Sequence, residues 1–323
     1  MTDRNPYAQQ APLAPGDRVW LVAPSGPAPK GTVEPAIAAL EEWGLDVQVG
    51  ENLRKVDARA SYLAGSDDER RSDLVNAWCD PEASAVIALR GGYGAMRLLD
   101  GIDFGSMAEN ALRPDGRPKL LTGSSDITAL HQAWAHHVGV PTLFCPMVGN
   151  AVFGDSERVR TDIKRWLFSP WSDEQARLGE PAQTLTAGEF TGITYGGNLS
   201  LLAAGVGAPE FQPGAPEEPG ILFLEDVDED VYRLDNLLLQ LKRIGWLERA
   251  GAVVLGSWES CGEDDDRRAL LREYFGDAQV PVVWEVELGH HPHAGSVPFG
   301  VRATLSAPAD GTAPTVTIEP NEE

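Results

Sequence analysis

Cysteine is scarce in this chain. Cys79, Cys145 and Cys261 are its only three, widely spaced and without a CxxC pair. That excludes a disulfide framework and a zinc-finger pattern, and it fits a reducing compartment, so the cytoplasm is the expected location. Positive charge is short as well: Lys and Arg total 26 against 49 Asp and Glu, a formal net charge of −23. Such a field repels phosphate backbones and anionic membrane surfaces, so neither nucleic acid nor a membrane is an expected partner. No apolar run approaches the ~18 residues that cross a bilayer. The opening stretch MTDRNPYAQQAPLAPGD has no apolar centre of the kind a secretory signal carries. Internal repeats and low-complexity tracts are missing too.

What the sequence does contain is ordinary globular material, 42% hydrophobic and 23% charged over 323 residues, a length that suggests two domains. In the first half, Arg18–Ala23, Asp46–Val49, Ala85–Leu89, Lys119–Thr122 and Pro141–Phe144 read as strands. Between them, Val33–Trp43, Asp67–Trp78 and Ile127–Val138 read as helices, the second with acids in its first turn. Apolar strands without polar alternation are covered on both faces, so this half predicts βαβ units in a mostly parallel, doubly wound sheet. From Ser169 to Thr184 the period disappears, which marks a linker. Beyond it, Ile221–Leu224, Ala252–Leu255, Val282–Val286, Val301–Leu305 and Thr315–Ile318 read as strands, the last two as candidates for antiparallel pairing. Helices are predicted over Val231–Ile244 and Asp264–Tyr274, which completes a second, smaller α/β domain. The expected division is 1–168, a linker over 169–184, and 185–323.

The segment Thr122-Gly123-Ser124-Ser125-Asp126 takes a buried strand straight into a helix. A serine there sits at the carboxyl edge of the sheet, where open α/β sheets place ligands, and the helix N-terminus would stabilise an oxyanion at the same spot. Gly123 permits the tight backbone. The pattern is GxSD and not the GxSxG of common hydrolases. Local sequence favours the plainer role of Ser124 or Ser125 as a helix cap, and both roles can hold at once. Arg90-Gly91-Gly92-Tyr93-Gly94 follows another strand; it is either a tight turn or an anion-binding loop, and it is not GxGxxG.

The acidic run Leu224–Asp230 is mostly a solvated loop, with Asp228 and Asp230 in that role. Glu225 differs, because it ends a strand, where a carboxylate can orient a histidine. The run lacks the glycine and spacing of a calcium loop. In Gly289-His290-His291-Pro292-His293 three histidines invite a metal, yet no fourth ligand is evident and the spacing is too tight for a usual zinc site. One histidine as general base, with the others exposed, asks less of the geometry. His131, His136 and His137 lie on the Ile127–Val138 helix, the last two near its C-terminus, where positive charge is favoured. Ser125, Glu225 and His290 thus each follow a strand, but a triad is defined by geometry that spacing does not give.

With these residues in view, the chain resembles the LD-carboxypeptidase family of serine peptidases, which includes muramoyl-tetrapeptide carboxypeptidases and microcin C immunity proteins. The likeness is carried by PGDRVWLVAPSGP, YLAGSDDERRSDL, RGGYGAMRLL, LLTGSSDITALHQA, YGGNLSLLAA, ILFLEDVDEDVYRLD and GHHPHAGSVPFGVRATL, in family order from Pro15 to Leu305. It implies an N-terminal Rossmann-like domain, a smaller C-terminal α/β domain, and a site between them. It implies a nucleophile at Ser125 in the G-x-S-D turn, a triad acid at Glu225 and a triad base at His290, with Pro298 and Gly300 completing the histidine's pattern. Backbone N–H groups of Asp126 and Gly92 are the implied oxyanion donors; Gly91, Tyr93 and Asn198 are expected to touch substrate. No metal or cofactor is expected, and similar proteins are usually homodimers.

Two departures stand out. Phe144-Cys145-Pro146-Met147 replaces the His-Gly-Pro-Met that family members often carry. Asp228-Glu229 and Asp235-Asn236 stand where they often read Gly-Glu and Asp-Arg, and a lost arginine beside the acidic loop bears on how a substrate carboxylate is recognised. The expected activity is cleavage of murein tetrapeptide between the L-centre of its diamino acid and the terminal D-Ala, in cell-wall recycling. Within the same fold the alternative is a microcin-immunity-type hydrolase of a peptidyl- or aminoacyl-nucleotide. Other classes are a non-catalytic protein holding a phosphate-bearing ligand on the RGGYG loop, and a metallohydrolase using His290, His291 and His293.

Overall fold

The apolar runs of the first half become strands within a residue or two of their expected ends. In the computed structural model, which describes residues 5–211 and 219–321, that half comprises β1 (Arg18–Val22), α1 (Val33–Glu42), β2 (Asp46–Val49), α2 (Asp67–Cys79), β3 (Ala83–Ala88), α3 (Phe104–Glu109), β4 (Leu120–Gly123), α4 (Thr128–Ala133), β5 (Thr142–Phe144), α5 (Ala151–Asp155) and α6 (Glu157–Phe168). The second half comprises β6 (Gln183–Thr186), β7 (Gly188–Asn198), α7 (Leu199–Ala204), β8 (Gly220–Val227), α8 (Val231–Arg243), β9 (Ala250–Glu259), α9 (Asp264–Phe275), β10 (Val282–Trp284), β11 (Val297–Phe299), β12 (Arg302–Ala307) and β13 (Thr315–Ile318).

Among the described residues these strands form two sheets. The first runs β11-β5-β4-β3-β1-β2, with β1 to β5 parallel. Its β3 is buried at every position, as a strand covered by helices on both faces must be. The second runs β13-β12-β7-β8-β9-β10-β6, with a parallel centre from β7 to β10 and antiparallel pairs at its edges. The fold is therefore α/β with a doubly wound N-terminal sheet and a second α/β domain.

The structure adds detail that the sequence reading does not contain. The stretch expected as a linker is packed: Trp171 is fully buried, its indole N–H donates to Trp166 O at 2.8 Å, and β6 begins inside the stretch and pairs with β10. The second domain carries a seven-stranded sheet beside the six strands of the first. Its chain also returns to the first sheet, because β11 pairs antiparallel with β5, Val297 opposite Phe144 and Phe299 opposite Thr142. The reason lies in packing: Phe299 stacks on Phe144 at 5.2 Å between centroids and meets Phe223 at 5.8 Å. Burying an aromatic of that size stabilises by roughly 1.5–3 kcal/mol, enough to fix a three-residue strand too short to show a period.

The expected Ile127–Val138 helix is also subdivided. A 3₁₀ turn over Ser125–Ile127 leads into α4, and a wider π turn over Trp134–Val138 ends at Gly139. Trp134, the first residue of the π turn, packs edge-on against Trp78 and Phe104, at 5.1 and 6.3 Å between centroids.

Candidate active site

After β4 the chain passes through Ser124 in an extended conformation and enters Ser125 at φ +59. A left-handed serine costs on the order of 1 kcal/mol, and the surrounding structure holds it there. Ser124, at the N-cap position, makes no side-chain capping bond, so capping does not account for the serine pair. Beneath the turn His131 is buried, with Nε2 2.9 Å from Gly123 O and Nδ1 2.7 Å from Thr142 Oγ1. A carbonyl can only accept, so Nε2 carries the proton and Nδ1 accepts from the threonine. Burial lowers this histidine to about 4, which keeps it neutral and fixes the end of β4.

The RGGYG loop lies directly against this turn. A Cβ on Gly91 would sit 3.0 Å from Ser125 Cβ and 3.3 Å from the Asp126 backbone nitrogen, a contact that only glycine leaves open. Gly91 O accepts from Gly26 N–H at 3.0 Å, and the Asp126 carboxylate accepts from Ala95 N–H at 2.7 Å. Asp126 thus works through its side chain as well as its backbone. Burial pushes its carboxyl up, against the hydrogen bonds it accepts and the nearby Arg70. Arg70, on α2, is buried and donates to Gly94 O at 2.8 Å, to Gly65 O at 3.3 Å, and to Pro24 O and Asp67. Gly92 and Tyr93 turn outward, and Tyr93 forms an edge-to-face pair with Tyr62 at 5.7 Å, both rings exposed.

On the second sheet Glu225 lies near the end of β8, fully buried. His290 Nδ1–H donates to its Oε2 at 2.6 Å, and Oε1 has no partner among the described residues. With no other donor on it, the carboxylate directs its charge at the imidazole. Gly289, at φ +88, makes this approach possible, since a Cβ there would fall 2.2 Å from Glu225 Oε2. The His290 backbone N–H is held by Ser257 Oγ at 3.1 Å. Burial alone would lower the His290 pKa; the charge and hydrogen bond of Glu225, with Asp226 and Asp228 behind, reverse that and raise it above 6.5. Asp226 is pushed up to about 6, first by burial and then by the Glu225 charge.

Helix α4 joins the two halves. Its Thr128 Oγ1 accepts from Asn198 N–H at 2.9 Å, and Gln132 Nε2 donates to Gly196 O at 3.0 Å. Asn198 is paired in register with Glu225, so the helix that begins at Ser125 rests on the strand beside the Glu–His pair. No hydrogen bond joins Ser125 to His290 among the described residues. The Asn198 side chain, expected to touch substrate, is buried and engaged inside the protein: it donates to Asp226 at 2.9 Å and accepts from Leu201 N–H and Ser200 Oγ. A cleft of about 850 Å³ opens beside Gly92, Tyr93 and Asp126, closed on its far side by Ser200, Glu229 and Arg233.

The other histidines of the cluster do not converge with His290. His291 Nδ1 accepts from His293 N–H at 3.1 Å, and among the described residues no three His, Cys, Asp or Glu side chains gather as metal ligands. Cys145 is buried behind β4, its thiol pushed up to about 12 by burial and so held as the unreactive thiol.

Residues 19–145 match the family model of the LD-carboxypeptidase N-terminal domain, and residues 191–305 that of the LD-carboxypeptidase C-terminal domain. The chain belongs to the LD-carboxypeptidase family. It is 34% identical to the murein tetrapeptide carboxypeptidase of Pseudomonas aeruginosa, over 94% of this chain and 98% of that one. A Streptomyces coelicolor protein with a provisional carboxypeptidase name is 43% identical over 92% of this chain and 93% of its own. A solved structure of the microcin C7 self immunity protein with adenosine monophosphate superposes with a TM-score of 0.81 at 22% identity, covering 97% of this chain and 98% of that one; it shares the fold. Family and relatives together make the chain an LD-carboxypeptidase-type serine peptidase.

Sequence reasoning missed the supports of this LD-carboxypeptidase site. The Asp126 carboxylate stands in the GSSD motif, where local sequence points only to the backbone N–H. Arg70, Thr128 and Ser257 carry no local signal, because each acts on a segment far away in the chain.

Proposed function

We propose that this chain hydrolyses the LD-peptide bond of murein tetrapeptide, releasing D-Ala through an acyl-enzyme in cell-wall recycling, with Ser125, Glu225 and His290 as its triad. The observation that supports this most is the 2.6 Å bond from His290 Nδ1–H to the buried Glu225, because it leaves Nε2 as the basic nitrogen. In this reading Nε2 takes the proton of Ser125 as its oxygen attacks the carbonyl between the diamino acid and D-Ala. The tetrahedral oxyanion is held by the N–H groups of Asp126 and Gly92, donors of a kind worth on the order of 3 kcal/mol each. His290 then protonates the departing amine of D-Ala, and water enters by the reverse path to release the tripeptide. Glu225 holds the imidazole tautomer and stabilises the imidazolium.

Incubation with murein tetrapeptide followed by mass spectrometry is expected to show tripeptide and D-Ala. Ser125→Ala should fold as the parent does, yet yield no tripeptide and take no label from a fluorophosphonate. Undiminished hydrolysis by that variant would overturn the nucleophile assignment. The exposed Tyr62–Tyr93 pair favours a second reading, since it offers a stacking face for a base beside the glycine loop. Cleavage of an aminoacyl-sulfamoyl nucleotide in preference to the tetrapeptide would decide for it.

A further inference from the structure

The peptide group that joins Gly91 to Gly92 carries the N–H that the reading above gives to the oxyanion. Its carbonyl end is fixed, because Gly91 O accepts from Gly26 N–H at 3.0 Å. In a trans peptide the C=O and N–H point in opposite directions, so whatever holds Gly26 also aims the Gly92 N–H. Three residues on, the peptide group that joins Gly94 to Ala95 is gripped at both ends. Its C=O accepts from Arg70 Nη1 at 2.8 Å, and its N–H donates to Asp126 Oδ2 at 2.7 Å.

Arg70 reaches well beyond this one carbonyl. Its side chain is wholly buried, and its other bonds go to Gly65 O at 3.3 Å, to Pro24 O and to Asp67. Pro24 lies two residues before Gly26, and Ala64 N–H donates to Ser25 O at 2.9 Å between them. One guanidinium thus ties together the loop after β1, the entry to α2 and the glycine loop after β3. Gly94 leaves room for it: a Cβ there, at φ +125, would stand 2.8 Å from Nη1. Asp67 answers only part of the charge, being shared with Arg97 at 2.9 and 2.5 Å. A cation buried among carbonyls has given up its hydration, and the charge-assisted bonds it makes there are strong and directional.

Resting on the acyl-enzyme reading above, we propose that Arg70 and the Asp126 carboxylate are positioning residues that set the spacing of the two oxyanion donors. Asp126 carries one donor on its own backbone and holds the loop of the other with its side chain. Arg70 fixes that loop at Gly94 and, through Pro24 and Gly26, at the Gly91 carbonyl. Neither side chain acts on the reacting atoms itself. With either one removed, Ser125 still meets the substrate, but the Gly92 N–H no longer faces the charge that develops in the transition state.

The test measures kcat and KM for D-Ala release from murein tetrapeptide, and the rate at which a fluorophosphonate labels Ser125. Wild type, Arg70→Gln, Asp126→Ala and the double variant are compared as proteins shown to be folded by circular dichroism. Arg70→Lys stands in where Arg70→Gln does not fold. Each single variant is expected to lower kcat by about 10- to 100-fold with KM within about twofold. Labelling should slow in parallel, since attack on phosphorus also builds charge on an oxygen facing those donors. The double variant should lie within about twofold of the slower single one, because both substitutions release the same peptide group. Asp126→Asn, which can still accept from Ala95 N–H, should regain part of the loss. Unchanged kcat, a loss confined to KM, or losses that multiply in the double variant would overturn the positioning role and leave the acyl-enzyme reading standing. A wild type that neither releases D-Ala nor takes the label on Ser125 would overturn that reading, and the positioning role with it.

Discussion

Glu225 and His290 show how far one side chain can set the chemistry of another. A raised folded pKa means that the fold favours the imidazolium, whereas His290 must be neutral to act as the proposed general base. The acid limb of kcat/KM is therefore expected above pH 6.5, with activity rising as His290 loses its proton. The linked stability has the opposite sense: it is fully present below about 6.5 and is lost as pH rises through the raised value. Glu225→Gln removes the charge that does the raising, so burial takes over and the limb should move to lower pH, while kcat falls by about 10³–10⁴. A pH–rate profile of both proteins checks this, and an unmoved limb would mean that the pair does not control the base. The resemblance singled out these two residues, and the structure brings them within hydrogen-bond distance. The reach of Gly289 over the carboxylate could not be read from the sequence, because it depends on a close approach between segments more than sixty residues apart.

Helix α4 is where element-level reading succeeded in outline and failed in detail. Its apolar stripe predicted a helix, and a helix is there; its subdivision into 3₁₀, α and π turns, with Trp134 packed on Trp78, is not encoded by any local pattern. The same element holds Ser125 in its left-handed turn and fastens it to β7 through Thr128. Replacing Thr128 with valine keeps the shape and removes the acceptor for the buried Asn198 N–H. Leaving that donor unpaired should cost about 1–3 kcal/mol, measurable as a lower denaturation midpoint. Activity should fall as well, because the helix that begins at Ser125 then has one bond fewer to the strand beside Glu225. Unchanged stability would show that the contact is not a real anchor.

On the scale of the whole molecule, the histidine loop is held from outside its own sheet. Glu287 N–H donates to Leu178 O at 2.8 Å, Arg177 Nη2 donates to Ala294 O at 2.8 Å, and Ser296 N–H donates to Asp162 Oδ2 at 2.7 Å. Asp162 sits on α6 of the first half and Arg177 in the stretch the sequence marked as linker, and the loop then runs into β11 on the first sheet. Asp162→Ala should cost about 2–4 kcal/mol by stranding a buried N–H and weakening the hold on Arg177. It should also lower kcat more than it changes KM, since the proposed base is loosened and the cleft is not. Steady-state kinetics on protein shown to be folded would check this, and full kcat in a destabilised variant would mean that the loop keeps its place without the clamp. By itself the sequence determined the alternation of strand and helix and the parallel first sheet, because apolar periodicity and turn chemistry are local. Which sheet β11 joins, how the Glu–His pair closes, and which wall of the cleft carries charge were decided only by tertiary structure. Those outcomes depend on burial and electrostatics between residues that the chain itself keeps far apart.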